Sequence, residues 1–163
     1  MSQSSMIEIF MYQVGQLFLL PVLALVALLF VYALYVLGSF TVQALQRRNP
    51  AKLAGYPLMR YVESRPEATE DELDLFAHKL LEPERLASRI APMLGLVGTM
   101  IPMGPALKSL SDGNLAQVSG SLTVAFSAVI LALIAASITY WVANVRRRWL
   151  AEELVSLQQR KIL

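Results

Sequence analysis

The 163-residue sequence contains no cysteine. That excludes disulfide frameworks, thiolate metal centres and cysteine nucleophiles. It has one histidine, His78, and charged residues make up only 16%, against roughly 25% in an ordinary soluble domain. Apolar residues reach 56%. Intrinsic disorder is excluded, because so much apolar surface cannot stay in water. A soluble globule of this size could not hide it either. The length is one domain's worth, and what remains is a membrane protein with a modest aqueous part.

Three stretches can cross a bilayer, which takes about 20 apolar residues per helix. The first is Leu17 to Leu37, extending to Val42. The second is the run of 18 uncharged residues between Arg89 and Lys108, and the third is charge-free from Gly113 to Val145, apolar from Leu122 on. The flank MSQSSMIEIF has no Lys or Arg, so the first stretch reads as a retained helix and not as a cleaved signal. Lys and Arg set the orientation. Eight lie between Gln46 and Arg89, five follow Val145, and Lys108 alone lies between the second and third spans. Thirteen of 14 therefore fall on one side. The expected architecture is an all-α integral membrane protein with three transmembrane helices, N-terminus outside and C-terminus inside, carrying cytoplasmic amphipathic helices. Its expected segments are 1–45 with the first span, a cytoplasmic helical loop 46–88, the second and third spans in 89–145, and a cytoplasmic helix 146–163. Trp141, Trp149 and Phe40 mark the inner interface.

Within the inner loop, Thr69-Glu70-Asp71-Glu72 fits a capping box, and Leu73, Phe76, Leu80 and Leu81 follow at helical spacing. Pro83 is expected to kink or restart this helix, with the next one beginning near Glu84. Asn49–Pro66 reads as loop with short helical turns. Beyond the third span, Leu150, Leu154, Leu157 and Lys161 share a stripe.

The second span is rich in helix-disfavouring residues, which membranes tolerate where neighbours or a cavity satisfy the freed backbone groups. Pro92, Gly95, Thr99, Pro102 and Ala106 fall along one narrow stripe. Small residues of this kind, Gly98 included, suit close helix packing, whereas Thr99 suits either packing or a pore lining. The third span has a smooth face of Ala125, Ala128, Ala132, Ala136, Thr139 and Ala143. Its other face carries Thr123, Ser127, Ile134, Ser137 and Asn144. A hydroxyl there can bond back to its own helix, bond across helices, or face a wet interior. No span holds Asp, Glu, Lys, Arg or His, the residues that mark proton relays. Any titratable group in a proton path must therefore come from a partner. Phosphate-binding loops, zincin and hydrolase motifs and paired carboxylates are all missing, so no enzyme activity, metal or cofactor is expected. The Arg146–Arg148 run reads as a topological stop signal, with no nucleic acid implied.

The stretch Ile90-Ala-Pro-Met-Leu-Gly-Leu-Val-Gly-Thr99 resembles the APLLGLLGT signature of the MotA/TolQ/ExbB proton channel family. The stretch from Leu122 to Arg148 resembles the same family's last span, and the likeness covers about Arg85 to Trp149. It implies a homo-oligomeric ring, usually a pentamer, in a bacterial or archaeal cytoplasmic inner membrane. The ring would surround single-span ExbD/TolR/MotB-like partners that carry the membrane aspartate, with Thr99, Ser127 and Thr123 as the candidate residues of the proton pathway. Pro92, Gly95, Gly98, Pro102, Ala125, Ala132 and Ala136 would then pack the helices. The family's span-three threonine falls near Ala128 or Val129, where this chain has no hydroxyl. Ser127 is the nearest substitute. With no fourth span and no large cytoplasmic insertion, a flagellar stator is not expected. The alternative function is a non-conducting membrane scaffold of an uptake or envelope complex.

Overall fold

A computed structural model describes residues 3–48 and 55–162. Four helices follow one another: α1 (Gln3–Arg47), α2 (Pro57–Ser64), α3 (Glu70–Ser111) and α4 (Leu115–Ile162). Three of them, α1, α3 and α4, are long and apolar enough to cross a membrane. The all-α multi-pass architecture is therefore as the sequence indicates. The side chain of Lys161 and residues 49–54 lie outside what the structure describes.

Pro83 does not end a helix. α3 runs unbroken through it and through Pro92, Pro102 and Pro105. A proline removes one N–H and frees the carbonyl four residues back. At Pro83 that carbonyl belongs to Lys79, and both residues are exposed, so water can satisfy it. At Pro105 the freed carbonyl is that of Ile101. There the Gln16 amide of α1 donates to it at 3.3 Å. This is the replacement partner that a proline in a membrane helix requires. The segment after Gly55 also departs from expectation, forming the eight-residue α2 with Pro57 in its first turn, where a missing N–H is harmless.

The α3–α4 turn is set by Gly113, whose φ of +73° is the one positive value among the described residues. Asn114 N–H reaches back to the Ser109 carbonyl at 2.9 Å, closing α3 in a Schellman-type end. The Asn114 side chain then accepts from Gln117 N–H at 3.2 Å and caps α4.

The chain divides into two compact units, residues 1–32 with 89–136 and residues 33–88 with 137–163. In the first, Val22 and Val26 of α1 and the small residues of α3 and α4 are buried. Leu17, Leu20, Leu28, Met93, Leu96 and Phe126 are more than half exposed, as acyl chains would have them.

The second unit has an aqueous-type core of Leu58, Ala68, Leu73, Ala77, Leu81 and Leu150, flanked by Tyr61, Val62, Phe76, Leu154 and Leu157. The Thr69 box forms as expected: Glu72 N–H donates to Thr69 Oγ1, and Thr69 N–H to the Glu72 carboxylate, each at 3.3 Å. Two buried ion pairs hold the unit together. Arg47 pairs with Glu153 at 2.7 Å, and Glu153 also accepts from Leu58 N–H at 3.0 Å. The Arg47 guanidinium lies between the Tyr56 and Trp149 rings, 4.6 Å from each. Arg146 pairs with Glu84 and donates to Ser39 Oγ at 2.9 Å.

Candidate functional site

In the first unit α3 and α4 run antiparallel and meet through glycine and alanine. A Cβ placed on Gly95 would lie 2.7 Å from Ala132 Cβ, and one on Gly98 would lie 3.1 Å from Ala128 Cβ. The backbones approach this closely because neither glycine carries a side chain. Pro102, Ala106, Ala125 and Ala128 continue the buried seam. Gly95, Gly98, Pro102, Ala125, Ala132 and Ala136 are all buried and Pro92 is half-buried at the edge. The sequence stripe is thus rotated slightly: Gly98 belongs to its centre and Thr99 to its flank.

That flank is open. At 3.6 residues per turn, Thr99 sits about 40° round the helix from Gly95. α1 covers the opposite side of the seam, where Val22 lies 3.8 Å from the position a Cβ on Gly98 would take. Leu96 and Met103 beside Thr99 are exposed. On α4, Val129 lies about 40° from Ala125, and its Cα is 3.5 Å from the Gly95 Cβ position. Val129 therefore shares the open side with Thr99. Thr123 and Ser127 are exposed and lie about 160° from Ala125, away from the seam. The structure does not bring them together with Thr99 within one subunit. The polar face of α4 read from the sequence, Thr123, Ser127, Ile134, Ser137 and Asn144, is exposed throughout.

The hydroxyls are partly occupied. Thr99 Oγ1 donates to Leu96 O at 2.7 Å, Thr123 to Ser119 O at 2.9 Å and Ser127 to Thr123 O at 2.8 Å. A hydroxyl whose proton is engaged still has acceptor lone pairs. In this state Thr99 can take a hydrogen bond from a protonated carboxyl. To serve an ionised one it must release the Leu96 carbonyl.

Sequence reasoning missed Gln16 and the Glu84–Arg146 pair. Pro105 announces a freed carbonyl, but the donor lies 85 residues away on α1. The ion pair joins residues 62 apart, which no local pattern reveals.

A family model, the MotA/TolQ/ExbB proton channel family, matches residues 59–159. The chain belongs to that family. The match spans more than half the sequence, from α2 to near the end of α4, and so takes in the helices of the second unit as well as the signature around Thr99. No curated protein and no solved structure matches the chain.

Proposed function

We propose that this proton-channel-family subunit forms a homo-oligomeric ring, a pentamer by family pattern, in a bacterial or archaeal inner membrane. It would conduct protons together with a single-span partner whose membrane aspartate supplies the titrating group. The observation that carries the reading is the seam itself. Gly95, Gly98 and the alanines of α4 consume one face of the α3–α4 pair in packing, while Thr99 is left on an open, uncharged flank.

The chemistry follows from that flank. A carboxyl held at membrane depth has its pKa raised by desolvation. Its neutral form can donate to Thr99 and slide past an apolar wall made by residues such as Val129. Each proton crossing the membrane releases about 2.3 kcal/mol per 100 mV, enough for a few protons to bias a conformational cycle. No residue of this chain acts as an enzyme's acid, base or nucleophile in this scheme.

The non-conducting scaffold is the second reading. Val129, without a hydroxyl, shares Thr99's side of the seam, and Ser127 lies on another face; both favour it. Proton flux into liposomes, with and without the single-span partner, separates the two. Thr99→Val is expected to lower partner-dependent flux at least severalfold while leaving the assembly intact. Unchanged flux and unchanged downstream activity in that variant would overturn the pore assignment.

A further inference from the structure

The second unit carries a groove of about 450 Å³ between α2, α3 and α4. Val62, Leu73, Leu154 and Leu157 form its apolar floor, and Glu70, Asp71 and Asp74 stand along one wall. Among the described residues no Lys or Arg lines it. Glu70 and Asp71 make no ion pair among the described residues, and the Asp74 carboxylate meets only the exposed His78 ring, at 3.5 Å. The three carboxylates complement the α3 dipole, but that role needs no apolar groove beside them. Val62, Leu154 and Leu157 are half-buried at the rim of the unit's core, so a ligand that covered them would extend the core.

Charge and position select the occupant. The inner leaflet is anionic and attracts basic segments, so an acidic groove turns away from lipid. Asp74 lies 14 residues before Ser88 on the unbroken α3, about 21 Å of helix below the start of the second span. A chain leaving the membrane beside this subunit covers that distance in about seven extended residues. The Lys/Arg excess on the cytoplasmic side of any membrane span extends about 15–20 residues from its end. We propose that the groove docks the basic cytoplasmic flank of the single-span partner, through one or two Lys or Arg residues on the carboxylates and an adjacent large apolar side chain on Leu154 and Leu157. This rests on the proposed pairing with such a partner and adds to it a second contact, outside the membrane.

The test uses the full chain in micelles and a short fluorescent peptide in which lysines flank two leucines, with glutamate replacing lysine in the control peptide. The lysine peptide is expected to bind and to weaken with added salt, while the control does not bind. Glu70→Gln/Asp71→Asn/Asp74→Asn keeps side-chain shape and so preserves the fold, checked by helical circular dichroism. Because three exposed ion pairs are together worth about one tenfold step in Kd, the triple variant is expected to bind about tenfold more weakly. Equal binding of both peptides, or undiminished binding by the variant, overturns the proposal. A photocrosslinker on Gln158→Cys, which lines the groove without being one of its carboxylates and is clean in a chain without other thiols, is expected to capture the co-expressed partner's cytoplasmic flank. Capture of a second copy of this chain instead assigns the groove to subunit packing and overturns the proposal. A subunit that conducts with its partner but ignores the peptide removes the groove alone. One that neither conducts nor recruits a single-span protein removes the underlying reading as well.

Discussion

Gly95→Ala adds a single methyl group, and the structure says where it goes. Its carbon would sit 2.7 Å from Ala132 Cβ and 3.5 Å from Val129 Cα. Carbon atoms rest about 3.5–4.0 Å apart, so α3 and α4 must separate by about 1 Å at this level. Overpacking of this kind costs about 1–3 kcal/mol, partly offset by the better helix propensity of alanine, about 1 kcal/mol. The same methyl moved to the other helix, in Gly95→Ala/Ala132→Gly, removes the clash. Denaturant-induced unfolding of the four proteins in micelles is expected to give a coupling of about 1 kcal/mol or more in favour of the double variant. Gly98→Ala, with its milder 3.1 Å approach to Ala128, is expected to lose less than Gly95→Ala. Single-variant effects that simply add, within about 0.5 kcal/mol, would refute the close-packed seam.

Arg146→Met leaves the buried Glu84 carboxylate without its cation and is expected to destabilise by about 3–5 kcal/mol at neutral pH, whereas Glu84→Gln/Arg146→Met recovers most of that loss in the same unfolding assay. Gln16→Leu withdraws the donor from the Ile101 carbonyl that Pro105 frees and is expected to cost about 1 kcal/mol, with little effect once Pro105→Ala restores the backbone N–H. The carboxyls of Glu84 and Glu153, both outside the apolar membrane-crossing runs, are held above the usual carboxylate range by burial, which outweighs the pull of Arg146 on the one and of Leu58 N–H and Arg47 on the other. The folded chain thus keeps these protons more readily than the unfolded one, so their contribution to stability falls as pH rises from about 4.5 through the elevated values and is level above them; melting curves across this range are expected to show wild type losing ground to Glu84→Gln/Glu153→Gln as pH climbs. Thr69→Ala removes the acceptor for Glu72 N–H and is expected to lower stability by about 1 kcal/mol.

Features with a local cause were legible in the sequence. The Thr69 box needs only residues three apart, and it forms. The alanine face of α4 needs only a helical period, and Ala125, Ala128, Ala132, Ala136, Thr139 and Ala143 are all buried. The restart expected at Pro83 does not occur, because the rule against proline inside helices assumes an unsatisfied carbonyl, and Lys79 is exposed to water. The stripe of Leu73, Ala77, Leu81, Glu84 and Ala87 continues past Pro83 on the buried side and keeps α3 helical through it. α2 carried its signals, Pro57 at the start and Leu58, Tyr61 and Val62 at helical spacing, but the surrounding glycine and prolines masked them. The side of the seam on which Thr99 opens depends on where α1 packs, and no pattern within α3 contains that information.

Phe40 has a consequence for how the molecule can be observed. The chain has two tryptophans, and both Trp141 and Trp149 lie with their ring centres 5.1 Å from the Phe40 ring, one edge-on and one stacked. Every indole in the protein therefore watches the same corner. Indole emission, excited at the red edge where the six tyrosines do not absorb, is a gauge of that corner alone, silent about the Gly95 seam. Any colour change on adding a partner would report motion around Phe40.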